Sequence, residues 1–216
     1  MNRAAKRHQK KIADKAAKNF RLTQVNASVP TEQEQTLAIQ QAIELAVQNH
    51  QAGDLSTAES IYQQILQADP NQPFALHLLG VIAHQLGQNE VAIDLITKAT
   101  SIKPDFAEAY SNLGLALNEL GQLVKAVSSY KKALAIKPDY DEAHANLGTV
   151  LKRLGRLNEA VVSYKKALSI KFDDAETLNN LGNALYSLGQ VDEAVVSYNK
   201  ALSVKPNYID AHNNLG

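Results

Sequence analysis

A stretch of 34 residues, Ala107 to Tyr140, returns twice with most positions intact, as Asp141 to Asp174 and as Ala175 to Tyr208. A period of this length restricts the fold severely. Each unit is too small to bury its apolar face alone, so the units must stack and share one continuous core. Aligning on the glycines gives five complete units, 39–72, 73–106, 107–140, 141–174 and 175–208. A sixth begins at Ile209 and stops after eight residues, so the sequence reads as truncated inside a repeat. Positions within a unit are numbered here as slots from its first residue.

Slot 15 is glycine in every complete unit: Gly53, Gly87, Gly121, Gly155 and Gly189. Slot 7 is always leucine, slot 20 always alanine, and slot 24 is tyrosine except for Ile96. Within a unit the apolar residues recur at helical spacing, as in Tyr110, Leu113, Leu117 and Leu120, then Leu123, Val127, Tyr130 and Leu134. The slot-15 glycine falls between these runs, where a helix end needs a left-handed residue. Pro104, Pro138 and Pro206 stop the second run. Asp105 with Glu108, and Asp139 with Glu142, have capping-box spacing. Phe172 stands where the others have proline. The expectation there is a cap kept by Asp173 and Glu176 and a slightly longer second helix. Small residues at slots 8 and 20, and at slot 27 in every unit but the first, which has Ile65, let paired helices approach closely. The expected class is therefore all-α, a solenoid of antiparallel helix pairs.

This pattern resembles the tetratricopeptide repeat family, and the resemblance covers about four-fifths of the sequence. It implies a right-handed superhelix whose first helices line the concave surface. Phrases such as "AEAYSNLG", "LGQLVKAVSSYKKAL" and "IKPDY" are similar to the repeat arm of O-linked N-acetylglucosamine transferases. That likeness supplies an alternative reading, a substrate-recruiting arm of a glycosyltransferase whose catalytic domain lies outside this sequence. The leading reading is a noncatalytic scaffold that binds extended peptides in its groove.

The residues themselves argue against catalysis. There is no cysteine, hence no thiolate nucleophile or disulfide, which fits a cytoplasmic protein. Every glycine belongs to slot 8 or slot 15, so none is left for a phosphate loop. His77 and His84, seven apart, lack the further ligands of a zinc site. His144 and His212, at slot 4, read as interface packing. No cofactor or metal is expected.

What remains is a column of asparagines at slot 6: Asn112, Asn146, Asn180 and Asn214. An asparagine both donates and accepts, so one side chain can hold a peptide's N–H and C=O together. The resemblance implies that slot 6 looks into the groove, making the column a candidate peptide-binding ladder. Slot 2 is acidic from the third unit on (Glu108, Glu142, Glu176, Asp210), a margin that favours neutral or basic peptides. Lys152 and Arg153 are the local exception, suited to one acidic side chain. Where family members grip acidic chaperone tails with basic residues, this protein has Ser111, Ala145 and Asn179, so that partner is not expected.

The neutral net charge hides a segregation. Up to Leu22 there are eight Lys or Arg against one acid, whereas Thr23 to Thr97 holds no base and eight acids. Residues 1–22 read as a basic tail or helix with a weak potential for nucleic acid or anionic membrane, and 23–38 as a polar linker. At the other end, Val195, Tyr198 and Leu202 read as an uncovered face open to self-association.

Overall fold

A computed structural model describes residues 31–216. The basic tail and the first part of the linker lie outside the described residues. Eleven helices follow in pairs. The first unit holds α1 (Glu32–Gln51) and α2 (Leu55–Ala68), and the second holds α3 (Pro73–Gln85) and α4 (Asn89–Ile102). The third holds α5 (Ala107–Glu119) and α6 (Leu123–Ile136), and the fourth α7 (Asp141–Arg153) and α8 (Leu157–Ile170). The fifth holds α9 (Ala175–Ser187) and α10 (Val191–Val204), after which α11 (Ile209–Leu215) opens the sixth. Each helix packs on the next in sequence, and among the described residues there is no strand. The protein is an all-α solenoid.

The turn inside each unit repeats one device. Gly53, Gly87, Gly121, Gly155 and Gly189 all have φ between +69° and +80°, a region closed to most side chains. The residue after each glycine donates its N–H five residues back, as Gln122 does to Leu117 at 2.9 Å and Arg156 to Leu151 at 2.9 Å. This is the Schellman closure of a helix C-terminus, and it reverses the backbone into the second helix.

The second small residue sets how close the two helices come. A Cβ on Gly114, Gly148 or Gly182 would lie 2.7, 2.7 or 2.4 Å from the ring of Tyr130, Tyr164 or Tyr198. In the second unit Gly80 meets Ile96 in the same way, at 2.6 Å. The slot-20 alanines (Ala58, Ala92, Ala126, Ala160, Ala194) are fully buried beside them. One core cluster runs from Ala83 to Tyr198 through four units, a second joins the first unit to the second through Ala46, Tyr62, Ile65 and Ile82, and a third, Leu178, Ala201 and Ala211, lies under the last helix.

Four expectations need correction. Helix α1 starts at Glu32, inside the expected linker, because Thr31 and Glu34 form a capping box there: Glu34 N–H donates to Thr31 Oγ1 at 3.3 Å, and Thr31 N–H to Glu34 Oε2 at 2.9 Å. Asp105 and Asp139 are not caps. Phe106 and Tyr140 hold the N-cap positions of α5 and α7 and make no capping bond, since burying an aromatic ring against the core outweighs one exposed hydrogen bond. At Phe172 the cap is Asp174, not Asp173, and α8 ends at Ile170 like its counterparts. The ring of Phe172 is 81% exposed. Finally, Tyr198 is only 2% exposed, and Leu202 packs with Leu178, Ala201 and Ala211 against α11. Only Val195, at 40%, fits the uncovered face.

The tyrosine hydroxyls divide by unit. Tyr198 donates to Asn183 Oδ1 at 2.8 Å, and Tyr164 Oη lies 3.1 Å from Thr149 Oγ1. Asn183 and Thr149 occupy slot 9. Where slot 9 is Val47 or Leu115, the hydroxyl of Tyr62 or Tyr130 is buried without a partner. Tyr130→Phe is therefore expected to leave stability unchanged or raise it, whereas Tyr198→Phe should cost about 1 kcal/mol in urea unfolding. Equal losses for both would refute this division. Gly148→Ala, which drives a methyl into the Tyr164 ring, should cost about 1–3 kcal/mol. A thermal midpoint equal to the parent's would show that the two helices can part freely.

Candidate functional site

Second helices of successive units stand apart, leaving apolar-floored grooves of about 480 Å³ between α4 and α6 and about 600 Å³ between α8 and α10. The first helices, in contrast, are tied directly to each other. Asn112 Nδ2 lies 2.8 Å from His77 Nε2, and Asn214 Nδ2 donates to Asn179 Oδ1 at 2.9 Å. His50 Nε2 lies 2.9 Å from Gln85 Oε1, and Arg153 bonds both the backbone and the side-chain oxygen of Asn118. Each of these rungs joins residues 35 apart, one repeat plus one position. Slots 5 and 12 of one unit meet slots 6 and 13 of the next. Elements tied on one side and separated on the other must curve toward the tied side. The first helices therefore form the inner face.

The asparagine column lies along this face, but its members differ. Asn112 and Asn214 are rung donors. Asn146 and Asn180 make no rung; they face Ser111 and Ala145, and the alanine has nothing to bond. Both asparagines are half-buried. Arg153 is held by Asn118, while Lys152 is partly buried, which lowers the pKa of its amine. The acidic margin is also divided: Glu108 pairs with Lys137 at 3.6 Å, and no ion pair to Glu142, Glu176 or Asp210 is present among the described residues.

The histidines among the described residues fill structural positions. His144 Nε2 and His212 Nε2 lie 3.0 and 2.9 Å from the carbonyls of Pro138 and Pro206, so each can donate to the loop that precedes its own helix. His84 bonds Asn89, and among the described residues no cluster of His, Cys, Asp or Glu could hold a metal. No helix among the described residues is long and apolar enough to cross a membrane.

Sequence reasoning missed the rungs, together with Asn118, Asn179 and Asn183. The signal was present as polar residues recurring at a spacing of 35, but it becomes readable only once adjacent first helices are known to be staggered by one residue.

His77 makes one rung sensitive to acid. It is 5% exposed, with its ring edge-on to Phe106 at 4.6 Å. An amide nitrogen only donates, so Nε2 accepts from Asn112 and the ring is neutral. Burial pushes its pKa down to about 4, with Glu108 acting weakly in the opposite sense. The neutral ring contributes stability that is complete above about pH 6.5 and is lost as pH falls toward 4. The loss approaches roughly 3 kcal/mol. His77→Gln should remove this component while keeping a partner for Asn112. If urea unfolding of that variant weakens between pH 7 and pH 5 as much as the parent's, another group is responsible.

A family model described as the cilia and flagella-associated protein 70 C-terminal domain, a tetratricopeptide-repeat model, matches residues 3–216. No curated protein sequence matches this one. Among solved structures, a crystal structure of MamA is similar at 30% identity and a TM-score of 0.69, over 74% of this protein and 94% of that one. A thermophilic TPR protein from Thermus thermophilus is similar at 28% identity and a TM-score of 0.64, over 82% and 96%. YrrB, described as a TPR protein with an unusual peptide-binding site, matches at 21% identity and a TM-score of 0.69 over 83% and 96%, a likeness of fold. The similarity to a glycosyltransferase arm rests on the repeat phrases alone. With its 34-residue units folded as stacked helix pairs and a family match across nearly its whole length, the protein belongs to the tetratricopeptide-repeat family represented by that C-terminal domain.

Proposed function

We propose that this protein is a noncatalytic scaffold that captures an extended segment of another protein along its inner face. The observation that carries this reading is the pair Asn146 and Asn180. They stand one repeat apart on adjacent first helices, and neither is committed to a rung. Each can accept a backbone N–H and donate to a backbone C=O, as an edge strand does for a guest strand. Such recognition is largely indifferent to guest side groups. Lys152, on the same helix as Asn146, adds a cation for one acidic group of the guest. Arg153 contributes less, because its guanidinium already serves Asn118.

A tetratricopeptide structure described as having a peptide-binding site shares this fold, which supports a peptide as the kind of guest. Asn146→Ala with Asn180→Ala should weaken capture of extended peptides by at least about tenfold, the loss expected from removing several hydrogen bonds. Far-UV circular dichroism should be unchanged, since neither asparagine amide supports the fold. Undiminished peptide affinity in the double variant would take the ladder out of the mechanism.

A further inference from the structure

At the C-terminal end of the inner face, α9, α11 and the turn between α10 and α11 surround an open cleft of about 420 Å³. Its lining is almost wholly polar. Glu176 and Asp210 share slot 2 of successive units, so the repeat places their carboxylates in line. Asn180, Asn183 and Asn214 lie among them, and no Lys or Arg lines the cleft. The nearby Lys205 sits over the Tyr208 ring at 4.9 Å and is not part of the wall. Tyr208 registers the local field: its phenol pKa is raised by burial first, then by Asp210, Glu176 and Asp174.

At the same slot of the third unit the fold supplies its own cation, Lys137, to Glu108. Here it leaves a donor open. Asn179 is 4% exposed and lines the cleft. Its Oδ1 accepts from Asn214, but its Nδ2 has no acceptor among the described residues. That nitrogen is not sealed in the interior, unlike the hydroxyls of Tyr62 and Tyr130, so it opens on the cleft, where the carbonyl of a guest can meet it.

We propose, building on the groove reading above, that this cleft receives a lysine or arginine side group of the bound segment. The cation lies between Glu176 and Asp210 and donates to their carboxylates. Asn179 Nδ2 donates to the backbone carbonyl of the same guest residue. The acidic margin then acts as a specificity element, adding a side-group requirement to a grip that otherwise reads only the guest's backbone.

The test pans a random library of short peptides against the whole protein, then compares each selected peptide with a version whose basic residue is glutamine. Lysine or arginine should be enriched at one position, and the glutamine version should bind about fivefold more weakly, the effect of losing exposed ion pairs. The gap should narrow as salt rises. Against a Glu176→Gln, Asp210→Asn variant with unchanged helicity, the two versions should bind equally. A full basic preference in that variant overturns the proposal. So does selection without basic enrichment while Asn146→Ala with Asn180→Ala still abolishes capture, an outcome that leaves the groove reading standing. Failure to capture any peptide overturns both.

Discussion

Where the tyrosine ring of a second helix lies on the bare Cα of the facing glycine, the two helices of a unit touch with nothing between them. Tyr130 on Gly114, Tyr164 on Gly148 and Tyr198 on Gly182 fix the same separation three times over. A common separation gives units of similar shape, and similar units stack with a constant stagger, which the first two units keep although Ala46 and Ile96 stand at the contact. That stagger brings slot 5 of one unit to slot 6 of the next. The rungs on the inner face, and the amides left without rungs, are therefore downstream of a contact that lies in the interior. The first unit varies the arrangement, with Ala46 against Tyr62, both fully buried. It does so at the edge of the array, where fewer neighbours depend on the spacing.

The helices and their turns were legible because they depend on residue types within one unit. Glycine at slot 15 has a conformational cause, alanine at slot 20 a steric one, and both act over a few residues. The caps were misread because Asp105 and Asp139 are attractive locally, while Phe106 and Tyr140 win by contacts with a core that only the stack creates. The same reasoning explains Tyr198, which looked uncovered. Its cover comes from its own unit and from α11, a helix of seven residues that reads in the sequence as a mere fragment of a repeat. The asparagine column was legible as a pattern. Its division into Asn112 and Asn214 on one side and Asn146 and Asn180 on the other was not. That depends on what slot 5 offers in the preceding unit: His77, Ser111, Ala145 or Asn179.

The inner face also changes in character along the array. Slot 9 runs Val47, Val81, Leu115, Thr149, Asn183, and slot 5 begins with Ile43 and ends with Asn179 and Asn213. Toward the N-terminal end the hydroxyls of Tyr62 and Tyr130 are sealed beneath apolar residues. Toward the C-terminal end the hydroxyls of Tyr164 and Tyr198 join polar residues at slot 9. Interior and surface thus share one gradient, because each slot-24 hydroxyl emerges beside slot 9.

A gradient of this kind bears on how a guest would lie. Backbone recognition by asparagines is nearly symmetric, since each amide presents a donor and an acceptor and accepts a peptide running either way. A column of them alone would not orient a peptide. An apolar half followed by an amide and carboxylate half removes that symmetry. On the proposed reading, a guest with an apolar residue toward one end and a basic residue toward the other gains contacts in one direction and loses them in the reverse. The cost of reversal comes from desolvating Glu176 and Asp210 against an apolar group that cannot pair with them. Direction would then be set by the slots that differ among repeats, and grip by the slots that do not.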